Sequence, residues 1–93
     1  MKIVQKTSDF AGDKDVAAEI REDYIKPTLA RGKNVVLDFA GVDLATQSFV
    51  HAMIAAVVRQ DPGALQKIDF KNCNESIKSI IEIVVEYAQD EIE

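Results

Sequence analysis

The sequence predicts a single α/β domain over residues 1–93, with a largely parallel sheet in the order strand, helix, strand, helix, strand, helix. Three observations carry that prediction. Short apolar runs alternate with longer runs at helical spacing, so each strand-to-strand connection holds a helix, as right-handed parallel crossovers require. "NVVLDFA" (34–40) is apolar on both faces, which suits a central strand covered on both sides. All four glycines fall between periodic segments, where they punctuate rather than interrupt.

Taken in order, "KIVQK" (2–6) reads as a short strand with Ile3 on one face and Val4 on the other. "TSDFAGDKD" is a polar connection, after which Asp13 or Asp15 caps a helix with Val16, Ala17, Ile20 and Tyr24 at helical spacing. Pro27 is expected to kink or end that helix, because the residue before a proline resists the α conformation. Gly32 supplies the stop. After the central strand, "SFVHAMIAAVVRQ" (48–60) is apolar nearly all round and predicts a deeply buried helix. "DPG" (61–63) is a turn, and "LQKIDFK" (65–71) is the third strand. Asn72, with Glu75 three residues on, resembles a capping box with Asn in place of Ser or Thr. The last helix sets Ile77, Ile80, Ile81, Val84 and Ala88 at offsets 0, 3, 4, 7 and 11, a face packed on a sheet.

Ligands and partners of a parallel sheet gather at the carboxyl ends of its strands. Here those ends carry Ser8-Asp9, Asp43 to Ser48, and Asn72 to Ser76, three polar loops expected along one edge.

Composition narrows the function classes. The chain is 47% hydrophobic and 29% charged, which suits a folded domain. Its net charge is −5 with the basic residues scattered, so neither nucleic acid nor an anionic membrane surface is an expected partner. The longest mostly apolar run, 49–58, is far short of the ~20 residues that span a bilayer. "MKIVQKTSDF" lacks the apolar core and cleavage site of a signal peptide. Cys73 is the one cysteine, so no internal disulfide forms, and the cytoplasm is the expected compartment.

At "VVLDFAGVDLATQSF" the chain resembles the STAS fold of anti-sigma-factor antagonists and of the cytoplasmic ends of sulfate transporters. It resembles more closely a family of small bacterial STAS-like proteins, in which an "LDF-x-GV" strand end precedes a Ser-Phe helix start. The resemblance implies a signalling module that docks an ATPase or kinase of the histidine-kinase-like class. In antagonists of this fold the loop carries an acidic residue and two serines, the first of which is phosphorylated. Aligned without gaps, Thr46 falls on the acidic residue, Gln47 on the phosphorylated serine and Ser48 on the next. Gln47 cannot be phosphorylated, so a switch of that kind has to use Ser48 or Thr46.

The residues themselves leave two readings of that segment open. Thr46 and Ser48 stand at a helix start, where a side-chain oxygen caps an orphan N–H for ~1 kcal/mol. The same place welcomes a phosphate or an anionic ligand. Asp43, Thr46, Gln47, Ser48 and His51 are therefore the candidate partner- or ligand-binding residues. Asp38 is expected to be partly buried and structural, tying down the Gly41–Asp43 turn through backbone N–H groups. His51 is the only histidine and has no second ligand one turn on, so no metal site is expected. Cys73 stands near a helix start, where a thiolate is stabilised, or is a small partly buried residue of the cap.

No glycine-rich phosphate loop, Cys/His ligand set or spaced nucleophile and base occurs, so neither enzymatic chemistry nor a cofactor is expected. Glu82, Glu86, Asp90, Glu91 and Glu93 read as solvated helix faces. Ile83 and Tyr87 flank the last helix's apolar stripe and, if exposed, extend it into a sticky patch that suits a protein partner or a homodimer. The small side chains Ser48, Ala52 and Ala55 form a strip that suits tight packing or a partner. The function read from the sequence is a non-catalytic regulatory interaction module. The competing function is a small-ligand sensor binding an anion or nucleotide at the carboxyl edge.

Overall fold

A computed structural model describes residues 1–90. Its strands are β1 (Phe10–Ala11), β2 (Val35–Asp38), β3 (Leu44–Ala45) and β4 (Ile68–Lys71). Helix α1 is a continuous run of Lys14–Ile20, Arg21–Ile25 and Lys26–Ala30, and α2 of Gln47–Val50, His51–Ala55 and Ala56–Gln60. The middle segment of each is one wider π turn. Helix α3 spans Glu75–Asp90, and short 3₁₀ turns occupy Ile3–Gln5 and Pro62–Lys67.

Every strand pairing is parallel, as the helical connections predict. The sheet, however, is divided among the described residues into two strand pairs, β2–β4 and β1–β3. β2 lies between β4 and the start of the chain. The Met1 nitrogen donates to the Val36 carbonyl at 2.9 Å, and the Asp38 N–H donates to the Met1 carbonyl at 2.9 Å. The burial differs between its two faces: Val35, Leu37 and Phe39 on one are fully buried, whereas Val36 and Asp38 on the other are only half-buried, so the expected two-sided cover is complete on one side alone.

Residues 2–6 are not a strand. The Ile3 carbonyl accepts the N–H groups of Lys6 (3.0 Å) and Thr7 (3.1 Å) and the Thr7 hydroxyl (3.0 Å), so local bonds curl the segment and sink Ile3 into the core. Only Lys2 bridges to β2. The first strand moves downstream to Phe10–Ala11, which pairs with β3, a two-residue strand too short to show a sequence period.

Pro27 neither ends nor breaks α1. In the π turn just before it, the Lys26 N–H reaches back five residues to the Arg21 carbonyl, and the wider turn accommodates the proline. The helix stops where Gly32 was expected to stop it. Gly32 takes φ +72° and donates to the Leu29 carbonyl (2.9 Å), while Lys33 donates to the Thr28 carbonyl (3.1 Å), a Schellman pair. Asp13 is the cap of α1, its Oδ1 accepting the Asp15 N–H at 2.8 Å.

Helix α2 buries Phe49, Val50, Met53, Ile54, Ala55, Val57 and Val58. On α3, Ile77, Ile81, Val84 and Ala88 are buried and Ile80 half-buried, the stripe that periodicity predicts. The capping box at Asn72 does not form. Asn72 sits at φ +57°, outside the helix, and Asn74 is the cap, its Oδ1 accepting the Ile77 N–H at 2.9 Å. The strand read from Leu65 begins at Ile68, because Pro62–Lys67 winds as a 3₁₀ turn whose cap Asp61 accepts the Gly63 N–H. Glu82 and Glu86 are exposed, whereas the Asp90 side chain, Glu91 and Glu93 lie outside the described residues.

Candidate functional site

The three polar loops meet, but not all at carboxyl ends. Because β1 is Phe10–Ala11 and not residues 2–6, Ser8-Asp9 stands at the amino end of β1, as Asp43 does of β3, and both join the carboxyl ends of β2 and β4. The Asp9 carbonyl accepts the N–H groups of Asp43 (2.7 Å) and Leu44 (3.2 Å), and the Ala11 carbonyl accepts that of Thr46 (2.9 Å). From the third loop, Asn74 Nδ2 donates to the Asp43 carbonyl at 2.8 Å and Asn72 Nδ2 to Asp38 Oδ1 at 2.9 Å.

Asp38 has a structural part in this edge. Its Oδ1 accepts both Asn72 Nδ2 and the Ala40 N–H (2.9 Å each), so the tie falls on Ala40 rather than on Gly41–Asp43. The Asn72 bond, then the Ala40 bond, holds its carboxyl below the usual carboxylate range. Gly41, at φ +82°, occupies the third position of the turn closed by the Val42 N–H on the Phe39 carbonyl, where a side chain would be strained.

The "TQS" segment divides its labour. Thr46 is the cap of α2: it is extended, half-buried, and its Oγ1 accepts the Phe49 N–H at 3.0 Å. Ser48 lies inside the first turn, exposed, and its hydroxyl has no hydrogen-bond partner among the described residues. Gln47 and His51 are exposed beside it. With Lys14 and Ala52 they line a shallow cleft of about 430 Å³ between the starts of α1 and α2. The Arg59 guanidinium lies 3.2 Å from His51 Nε2, and since a guanidinium only donates, that contact uses the ring nitrogen's lone pair. Asp43 is exposed but does not line the cleft; its backbone serves the edge instead.

Two contributors escape the sequence reading. Lys14 reaches the cleft because Asp13 caps α1 beside α2, and no motif marks it. Arg21, from the π turn of α1, donates to the Ala52 carbonyl in the π turn of α2 at 2.7 Å and to Glu22 at 2.8 Å, pinning the cleft wall from beneath. In the sequence Arg21 looks like any surface cation. Of the small strip, Ser48 is exposed, Ala52 half-buried and Ala55 buried.

Cys73 is half-buried below a pocket of about 180 Å³ that it shares with Phe70, Lys78, Ile81 and Glu82. Burial pushes its thiol up, against a smaller pull from Lys78, so this is a packed thiol and not a thiolate. Among the described residues no group of His, Cys, Asp and Glu is arranged to hold a metal, and no helix is long and apolar enough to cross a membrane.

A family model described as "STAS-like domain of unknown function (DUF4325)" matches residues 16–78. The chain belongs to that family. The matched stretch of this STAS-like domain runs from the first turn of α1 to the first turn of α3 and takes in Asp38, Gly41, Asp43, Thr46, Gln47, Ser48 and His51. No curated protein and no solved structure matches the chain.

Proposed function

We propose that this STAS-like domain is a non-catalytic regulatory module of the cytoplasm, and that it docks a protein partner through the surface at the start of α2. The partner class is an ATPase or kinase of the histidine-kinase-like type, a choice that rests on the resemblance of "LDFAGVDLATQSF" to anti-sigma-factor antagonists. One observation carries the reading: the cap of α2 is supplied by Thr46, which leaves Ser48 and Gln47 exposed in a cleft beside His51, with no hydrogen bond of their side chains among the described residues. A charge on Ser48 would meet the positive end of α2 and Lys14, so the fold tolerates it, while the docked surface gains negative charge. Ser48, rather than the cap Thr46, is therefore the modified hydroxyl of this proposal.

The test is a calorimetric titration of a histidine-kinase-like ATPase from the same genome into the parent, Ser48→Ala and Ser48→Asp. Ser48→Asp should melt with the parent and bind about tenfold more weakly or worse. Equal binding by parent and Ser48→Asp would remove the α2 start as the docking site. Lys14 and His51 beside a helix N-terminus favour a second reading, a sensor of an anion or nucleotide. Titration of inorganic phosphate and ATP, with Lys14→Met as control, separates the two. Self-association through Ile83 (41% exposed) and Tyr87 (61% exposed) is a further reading of the partner. It predicts a sedimentation coefficient that rises with concentration and falls back in Tyr87→Ser.

A further inference from the structure

The exposed apolar side chains of β1 and β3 form a pair. Phe10 and Leu44 are 52% and 54% exposed, and they are register partners in β1–β3, so they stand side by side on one face. Their neighbours in register, Ala11 and Ala45, are buried, which fixes the pair on the outer face. Neither residue lines the Ser48 cleft.

Three features make this a prepared surface. The Phe10 ring folds back over Gly12: a Cβ on Gly12 would stand 2.5 Å from Phe10 Cε2, so the missing side chain is what lets the ring lie along the strand. The outward backbone edge of β1 is closed. Ser8 Oγ accepts the Phe10 N–H (3.2 Å) and donates to the Phe10 carbonyl (3.3 Å), which leaves side chains and not an open strand edge for recognition. The chain on either side of the pair is acidic, because Asp9 and Asp43 stand just ahead of β1 and β3, joined by the 2.7 Å backbone bond, and Asp13 follows Gly12; all three are exposed. Across a two-fold axis, two copies would set the Asp9 and Asp43 carboxylates of one against those of the other, a repulsive arrangement on a chain already at −5.

We propose that the β1–β3 face is a docking surface, separate from the Ser48 cleft, for an amphipathic segment of a partner protein that carries apolar anchors flanked by Lys or Arg. Phe10 and Leu44 are the apolar centre, and Asp9 and Asp43 supply the charge that selects a basic partner.

The probe is a fluorescent amphipathic peptide with Leu on one helical face and Lys on its flanks, measured by anisotropy against a counterpart with Glu in place of Lys. The Lys peptide should bind the parent and the Glu peptide should not. Phe10→Ser/Leu44→Ser should weaken binding about tenfold or more. Gly12→Ala should weaken it with Phe10 still present, by displacing the ring. Asp9→Asn/Asp43→Asn should weaken it and flatten its salt dependence. Ser48→Asp and Ile83→Ser/Tyr87→Ser should bind as the parent does, with circular dichroism confirming that every variant is folded. No binding of the Lys peptide, equal binding by Phe10→Ser/Leu44→Ser, or a preference for the Glu peptide would overturn the proposal. So would a dimer by sedimentation that Phe10→Ser/Leu44→Ser abolishes, since the occupant would then be a second copy.

Discussion

β2 and β4 run parallel over four residue pairs with Val35, Leu37 and Phe39 fully buried, whereas β1 and β3 run parallel over two pairs with Phe10 and Leu44 in solvent. The two also spend their polar groups differently. Beyond β2 and β4 the side chains of Asp38 and Asn72 are used on each other and on the Ala40 N–H. Between β1 and β3 it is the backbone that is used, through Asp9, Asp43, Leu44 and Thr46, and the Phe10 and Leu44 side chains stay outside. A strand pair with one face of β2 fully buried and the other half-covered ties down the polar side chains at its end, and so becomes scaffold. A pair covered on one face can leave its side chains to a partner.

The widest gap between the two pairs should appear in stability. Phe39→Ala removes a fully buried ring and should cost about 3–5 kcal/mol, while Leu44→Ala should stay within about 0.5 kcal/mol. Urea denaturation of the two variants measures this, and a large loss for Leu44→Ala would mean that the β1–β3 face is core.

The next effect tests the division of labour at α2. Thr46→Ala should cost about 1 kcal/mol for the lost bond to the Phe49 N–H, and Ser48→Ala no more than about 0.5 kcal/mol. Thermal melts that reversed this order would make Ser48 the cap and remove the reason for treating it as free to dock.

A pH dependence belongs to the β2–β4 pair. The folded Asp38 carboxyl titrates below the usual carboxylate range, so its stabilisation is present above that range and is lost as pH falls through the folded value. Asp38→Asn keeps an acceptor for Ala40 and Asn72 but not the charge. Its melting temperature should therefore fall less steeply than the parent's below about pH 4. Parallel acid limbs for the two proteins would show that Asp38 contributes no linked charge.

The smallest expected change is Gly12→Ala. The clash is with the far edge of the Phe10 ring, which can swing away into solvent, so the unfolding midpoint should move by less than about 0.5 kcal/mol equivalent. A large destabilisation would mean that the ring is anchored more firmly than an exposed side chain should be.

Much of the scaffold was legible because it rests on burial repeated over many residues. The two-sided apolar run of β2, the stripe from Ile77 to Ala88 and the near-continuous burial of α2 each average several side chains, so no single contact decides them. Residues 2–6 misled for the opposite reason. Three bonds to one carbonyl, that of Ile3, outweigh the weak strand preference of a five-residue segment. The candidate site was legible as a segment, 43–51, and not as a set of roles.

By itself the order of residues determined that this chain mixes helices with parallel strands and that three polar loops meet, though not that β3 follows β2 without a helix between them. Each follows from periodicity and from the handedness of crossovers, which depend on the sequence as a whole. Which of Thr46 and Ser48 caps α2, which of Asn72 and Asn74 caps α3, that Lys14 lines the cleft and that Arg21 holds its Ala52 carbonyl were decided only by the tertiary structure. The same holds for the standing of Phe10 and Leu44 side by side outside the core. A cap depends on one backbone angle and one bond length, and a juxtaposition across the fold depends on how α1 and β3 pack. Neither leaves a repeating trace along the chain from which it could be inferred.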